Sequence, residues 1–399
     1  MPDQTRREVL RGSAAGAGLA TIGTAAVSAS GNDRKIVGLA AGEDFGPAKA
    51  VADSVHRTLD FGDVGKAVAG NFSEQAIDRL RANHDVRYVE NDGLMHALPG
   101  NGPPGGGGSE GECLPWGVDR TDADVAHANG ETGSGADIAI VDTGIDDDHP
   151  DLQANVGKGK AFVECKGGNC NYAWSDDDDH GTHCAGIADA VRGNEEGVQG
   201  VSTEATLHAV KVLDKSGSGT FSDVADGIRY VADQGWDVAS LSLGASSGSQ
   251  TVKDAGQYAY DKGVLLVAAA GNDGPCSDCV GYPAAYSEFV AVSSTDSDDS
   301  LSSFSSTGPE VEIAAPGGSV YSTVIGGYDT FSGTSMACPH VSGAGGQLMA
   351  NGVSNKKARS KLKNNAEDLG LGDNEQGAGL LDVADTLGYD SSDDGTGDC

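Results

Sequence analysis

Basic residues are what this 399-residue chain most lacks: 26 Lys and Arg stand against 60 Asp and Glu, a formal net charge of −34. Such a polyanion argues against nucleic acid or an anionic membrane as a partner. The deficit is uneven, with 15 basic and 47 acidic side chains in 98–399 but eight and eleven in 31–97. Long bulky apolar runs are missing too. The one apolar stretch, near the N-terminus, is rich in Gly and Ala and makes a poor membrane span. Cysteine is absent before Cys113. Hydrophobic residues still make up 38% and recur in regular blocks, so the acidity coats a folded protein rather than marking a disordered one. Self-repulsion on this scale is relieved by screening salt, and an extreme-halophile origin is the expectation.

The chain opens with Thr5-Arg6-Arg7-Glu8-Val9-Leu10-Arg11 and then small, apolar residues to Ser30. This resembles a twin-arginine export signal cut near Ala29 or Ser30, with a plain disordered tail as the competing reading. Residues 31–97 read as a small α+β unit. Strands are expected over 36–40, 64–69 and 86–90, and helices over 47–58 and 73–82, the latter with Asn71 and Glu74 as a capping box. The Gly/Pro run 101–112 reads as a flexible linker, where a pro-segment would be cut. From Trp116 onward strands alternate with helices. Buried strands are expected over 138–141, 207–212, 238–243, 264–269 and 289–292, with helices over 222–233 and 252–261. The pattern predicts a three-layer αβα domain with a mainly parallel sheet and its active groups at the carboxyl ends of the strands.

Four segments carry chemistry. Ile140-Val141-Asp142-Thr143-Gly144 ends a buried strand on a carboxylate, which costs stability unless paired. Asp179-His180-Gly181-Thr182-His183 leads into a helix; no third ligand lies at zinc-like spacing. Ala270-Gly271-Asn272-Asp273-Gly274 places an amide just past a strand end. Gly333-Thr334-Ser335-Met336-Ala337-Cys338-Pro339-His340 opens a helix of small residues suited to close packing, with Ser335 on its first turn beside free N–H groups. Each alone has a bland reading, as a turn or a cap. Together, in the order Asp, His, Asn, Ser, they resemble the signature blocks of the subtilisin-like serine proteases (subtilases).

The resemblance spans roughly 116–388, and the signal, acidity and cysteines look like those of the secreted halophilic members called halolysins. It implies a serine endopeptidase in which Ser335 is the nucleophile, His180 the general base, Asp142 its partner and Asn272 an oxyanion donor. Residues 31–97 resemble the family's inhibitory, α+β ferredoxin-like pro-domain, followed by a linker with the processing site (98–112), a catalytic domain (113–388) and an acidic tail (389–399). Self-cleavage is implied between about Ala97 and Cys113. Ser242, Leu243 and Gly244 would form one rail for an extended substrate strand, with Ser218 and Gly219 as the other and Gly281 on the floor of the first specificity pocket. Glycine there leaves room for a large apolar side chain before the cut bond. Asp151 and Asn194 match calcium ligands, beside Glu195 and Glu196, with a solvated acidic loop as the alternative. His183 and His340 are expected to be structural.

Gly244-Ala245-Ser246-Ser247-Gly248 also fits a nucleophile elbow, yet only His340 follows it, so a loop is expected. Cys165 with Cys170 and Cys276 with Cys279 are close enough to pair locally, Cys113 with Cys399 would tie the ends, and Cys184 and Cys338 would be buried free thiols. Partners are polypeptide substrates and the protein's own pro-domain, with a monomer expected. A catalytically silent peptide-binding relative would need a broken triad, and an acidic cation-binding surface protein would lack the strand–helix alternation.

Overall fold

The computed structural model describes residues 34–98, 111–168, 170–391 and 397–399. The paired-arginine segment and most of the linker lie outside the described residues. Within 33–399, which forms one compact unit, the centre is a seven-stranded sheet. Its strands run in the order Val311–Pro316, Phe289–Thr295, Leu265–Ala269, Val238–Leu241, Asp137–Asp142, Thr206–Lys211, Lys160–Ala161, every neighbouring pair parallel.

Alternate residues of each strand enter different cores, which is why these strands read as continuous apolar runs. Ile138 and Ile140 pack with Cys184, Ala185 and Val341 from the helices His180–Asp189 and Thr334–Ala350. Ala139 and Val141 face the other way, onto Val224, Ile228 and Val252 from the helices Phe221–Gln234 and Gln250–Asp261. The expected three layers are present. The small residues after Ser335 let backbones meet: a Cβ on Gly343 would lie 2.6 Å from Ala188 O, and one on Gly346 2.7 Å from Ile138 Cδ1. The chain leaves Asp137–Asp142 to one side and returns on the other, placing a topological switch point at the carboxyl end that carries Asp142.

A separate antiparallel sheet precedes it, in the order Ala52–Asp60, Lys66–Phe72, Lys35–Leu39, Val86–Asn91. The helix expected over 47–58 is a correction: only Gly46–Lys49 is helical, and Ala52–Asp60 is a strand. The β-branched Val55 and Thr58 and a hairpin closed by Phe61 N–H to Gly65 O favour cross-strand pairing over a weak helical pattern. The next helix, Glu74–Arg81, is capped by Ser73, whose Oγ accepts from Ala76 N at 3.2 Å, whereas Asn71 bonds Ser54 instead.

Candidate active site

Asp142 ends its strand fully buried, and its Oδ1 lies 2.8 Å from His180 Nδ1 and accepts Thr143 N at 2.7 Å. His180 opens its helix after a left-handed Asp179, with the turn held by Asp176 accepting Thr182 N–H and O–H and by Thr143 Oγ1 accepting Gly181 N. Burial disfavours the imidazolium, but the Asp142 charge and hydrogen bond, with Asp178 and Asp176 behind, outweigh it and raise the pKa of His180. Its Nε2 is buried without a hydrogen-bond partner.

Ser335 sits on the first turn of Thr334–Ala350, fully buried. Its Oγ donates to Ser242 O at 3.0 Å rather than to His180, and Ser242 Oγ donates back to Ser335 O at 2.8 Å. Asn272 holds its amide in one orientation because its Oδ1 accepts both Thr334 N (3.0 Å) and Thr334 Oγ1 (2.9 Å).

The cleft is filled by the chain itself. Leu94–Ala97, a strand absent from the sequence reading, lies antiparallel between Ser218–Thr220 and Leu243–Gly244. Met95 pairs with Gly219, His96 with Ser218 and Gly244, and Ala97 with Leu243. Ala97 N donates to Gly217 O at 2.8 Å and Leu98 N to Ser242 O at 3.3 Å. Leu98 O then accepts Asn272 Nδ2 at 2.6 Å. Five of the expected substrate residues thus line this strand. Gly244 faces the Leu98 side chain, since a Cβ there would lie 3.0 Å from Leu98 Cδ1. Gly281 sits further back, against Ala245 O and Ala270 O. The signal for the missed strand was there: Leu94-Met95-His96-Ala97-Leu98 stands immediately before the Gly/Pro run.

Two residues to which the sequence reading gave no role hold the site. Thr334 orients Asn272, as described. Lys211, fully buried, reaches Asp177 at 2.6 Å, Leu213 O at 3.0 Å and Thr143 O, tying the turn after Asp142 to the segment before His180. Ser246, the rival serine, is exposed on a loop.

His183 stacks on Phe331 with ring centroids 4.4 Å apart, and burial lowers its pKa to about 3. His340 bonds Met336 O, and burial lowers its pKa to about 4. Both are neutral packing groups. The three cystine pairs are Cys113–Cys399, Cys165–Cys170 and Cys276–Cys279. Cys184 and Cys338 are buried free thiols, and Cys184 Sγ lies 3.4 Å from Ser335 O. Asp151 is fully buried with Asn194 Nδ2 at 2.5 Å and Val198 N at 2.8 Å, and no Lys, Arg or His pairs with it among the described ion pairs. A buried carboxylate with only neutral donors suits a hard cation, provided the Asn194 amide turns its oxygen inward.

Residues 133–379 match the Subtilase family. Halolysin from Haloferax mediterranei is 40% identical over 413 residues, covering 98% of this chain and 78% of its own. Thermitase from Thermoactinomyces vulgaris is 48% identical over 238 residues, 59% of this chain and 83% of its own. Subtilisin amylosacchariticus from Bacillus subtilis is 38% identical over 322 residues, 79% of each chain. With Asp142 on His180, Ser335 on its helix turn and a peptide carbonyl held by Asn272, this chain belongs to the subtilase family and is a serine endopeptidase.

Proposed function

We propose that the protein is a secreted, salt-adapted endopeptidase made as a self-inhibited precursor. The carbonyl of Leu98, 2.6 Å from Asn272 Nδ2, carries this reading. A substrate carbonyl placed there lies beside Ser335, whose Oγ leaves Ser242 O and attacks the carbonyl carbon while His180 Nε2 takes its proton. Asp142 keeps the imidazole proton on Nδ1 and stabilises the imidazolium; Asn272 and the Ser335 N–H hold the oxyanion. The imidazolium then gives its proton to the leaving nitrogen, and water repeats the sequence on the acyl-enzyme.

The segment 94–98 acts as an internal product-like inhibitor. It supports a preference for Leu-sized apolar side chains before the cut bond and for an apolar residue at the Met95 position, which is fully buried. Maturation removes it by a cut between about Ala97 and Cys113. Calcium at Asp151 and Asn194 serves stability and takes no part in the chemistry. Export through the twin-arginine route and growth in high salt agree with the paired arginines and the charge of −34. Among the described residues no helix is long and apolar enough to cross a membrane.

A catalytically silent peptide-binding relative would be missing one of the three groups, and all three are present. Ser335→Ala, expressed and purified in molar salt, tests the reading: the variant is expected neither to mature nor to digest casein. Casein hydrolysis by it at the wild-type rate would sink the mechanism.

A further inference from the structure

The strand in the cleft carries its smallest side chain at Ala97, opposite a glycine. Ala97, second before the bond that would be cut, offers only a methyl group, and its backbone is fixed by the bond to Gly217 O. Gly217 has φ +64°, a conformation that favours glycine, so the wall beside Ala97 is bare. A Cβ built on Gly217 would lie 3.2 Å from Ala97 Cβ and 4.0 Å from Asp178 Oδ2. The methyl group and the carboxylate therefore lie on either side of Gly217, no more than 7.2 Å apart, the limit set by those two distances.

Asp178 has no Lys or Arg partner among the described ion pairs; the nearby cation, Lys211, is taken by Asp177. The charged groups facing Asp178 are His180, Asp142 and Asp176, and His180 N is a backbone donor to it. Burial, which outweighs the pull of His180, raises its carboxyl pKa to about 6. It is ionised at neutral pH with its charge poorly compensated.

On the proteolytic reading above, we propose that Asp178 makes this second subsite select Lys or Arg. The flexible stem of a lysine passes over Gly217 and brings its ammonium to Asp178, whereas a glutamate there sets two carboxylates against each other. An apolar side chain fills the space and leaves the carboxylate without a partner. The protein's own segment, with Ala97, uses none of this attraction.

The test is a set of fluorogenic peptides Met-His-X-Leu with X Lys, Ala or Glu, cleaved by mature enzyme at pH 8 and constant salt. The expected order of kcat/KM is Lys, Ala, Glu, with Lys over Ala by roughly tenfold, the scale of a half-buried ion pair. In Asp178→Asn the Lys/Ala ratio falls to within about twofold of unity, and Asp178→Glu keeps the preference. Taking the ratio within each enzyme removes any effect on His180, which acts on all peptides alike. A wild-type ratio near unity, or one unchanged in Asp178→Asn, overturns the proposal while leaving the protease intact. Wild-type enzyme that cleaves none of the peptides, nor casein, would overturn the proteolytic reading itself. If the Asn variant does not fold, the wild-type ratio at pH 8 against pH 5 decides: protonation of Asp178 is expected to shrink it several-fold, and a constant ratio is a negative result.

Discussion

His180 sets the pH dependence of the site. It works as a base only when neutral, and its pKa lies above the ordinary value because Asp142, Asp178 and Asp176 outweigh the effect of burial. The acid limb of kcat/KM is therefore expected above pH 6.5, with activity rising as the imidazolium loses its proton. A limb at or below that value would mean the carboxylates do not act on it as described. Asn272→Leu removes the side-chain oxyanion donor and should lower kcat about 10²–10³-fold with KM little changed, the loss known for such an asparagine in a subtilisin. Thr334→Val, which removes one of the two bonds that orient the Asn272 amide and keeps the backbone one, should cost less in the same assay. At this scale the motif residues were legible because each chemistry needs one residue type. The roles of Thr334 and Lys211 were not, since a hydroxyl or ammonium acquires such a role only from what folds around it.

Among the elements, the N-terminal sheet meets the large domain at two helix starts, and on the precursor reading proposed above this contact governs latency. Glu90 accepts Ser249 Oγ and the Gln250 and Thr251 N–H groups at the start of Gln250–Asp261. Asp92 does the same for Ser222 at the start of Phe221–Gln234. Both carboxylates meet helix N-termini, where unpaired N–H groups favour negative charge. Arg57 pairs with Asp223 and Asp226, and Arg87 with Asp254. Glu90→Ala should weaken the pro-segment's hold, and the lag before casein activity appears in refolded precursor should shorten several-fold. An unchanged lag would assign inhibition to the cleft strand alone. Five of the seven strands of the large sheet were legible as short buried apolar runs, whereas Val311–Pro316 and the two-residue Lys160–Ala161 were not among those expected. Leu94–Ala97 was missed because it is four residues long and its partners, Ser218–Thr220 and Leu243–Gly244, lie more than a hundred residues away.

For the whole molecule, Cys113–Cys399 closes a loop across 286 positions that contains the whole seven-stranded sheet. Cys399→Ser should lower stability by about 2–5 kcal/mol, read as a drop in Tm in constant salt; an unchanged Tm would show the tie to be idle. The charge of −34 predicts that Tm falls as salt is diluted, since like charges on a compact surface repel more when unscreened. What the sequence determined by itself was the chemistry and the layering. Side-chain type fixes which groups can act as acid, base or nucleophile, and apolar period fixes which faces are buried. Only the tertiary structure decided that residues 94–98 occupy the cleft, that Ala52–Asp60 is a strand, and that Asp178 borders the second subsite. The first and third depend on contacts between distant segments, whose free energy no local pattern contains, and the second on a hairpin pairing with Lys66–Phe72 that outweighs a weak helical pattern.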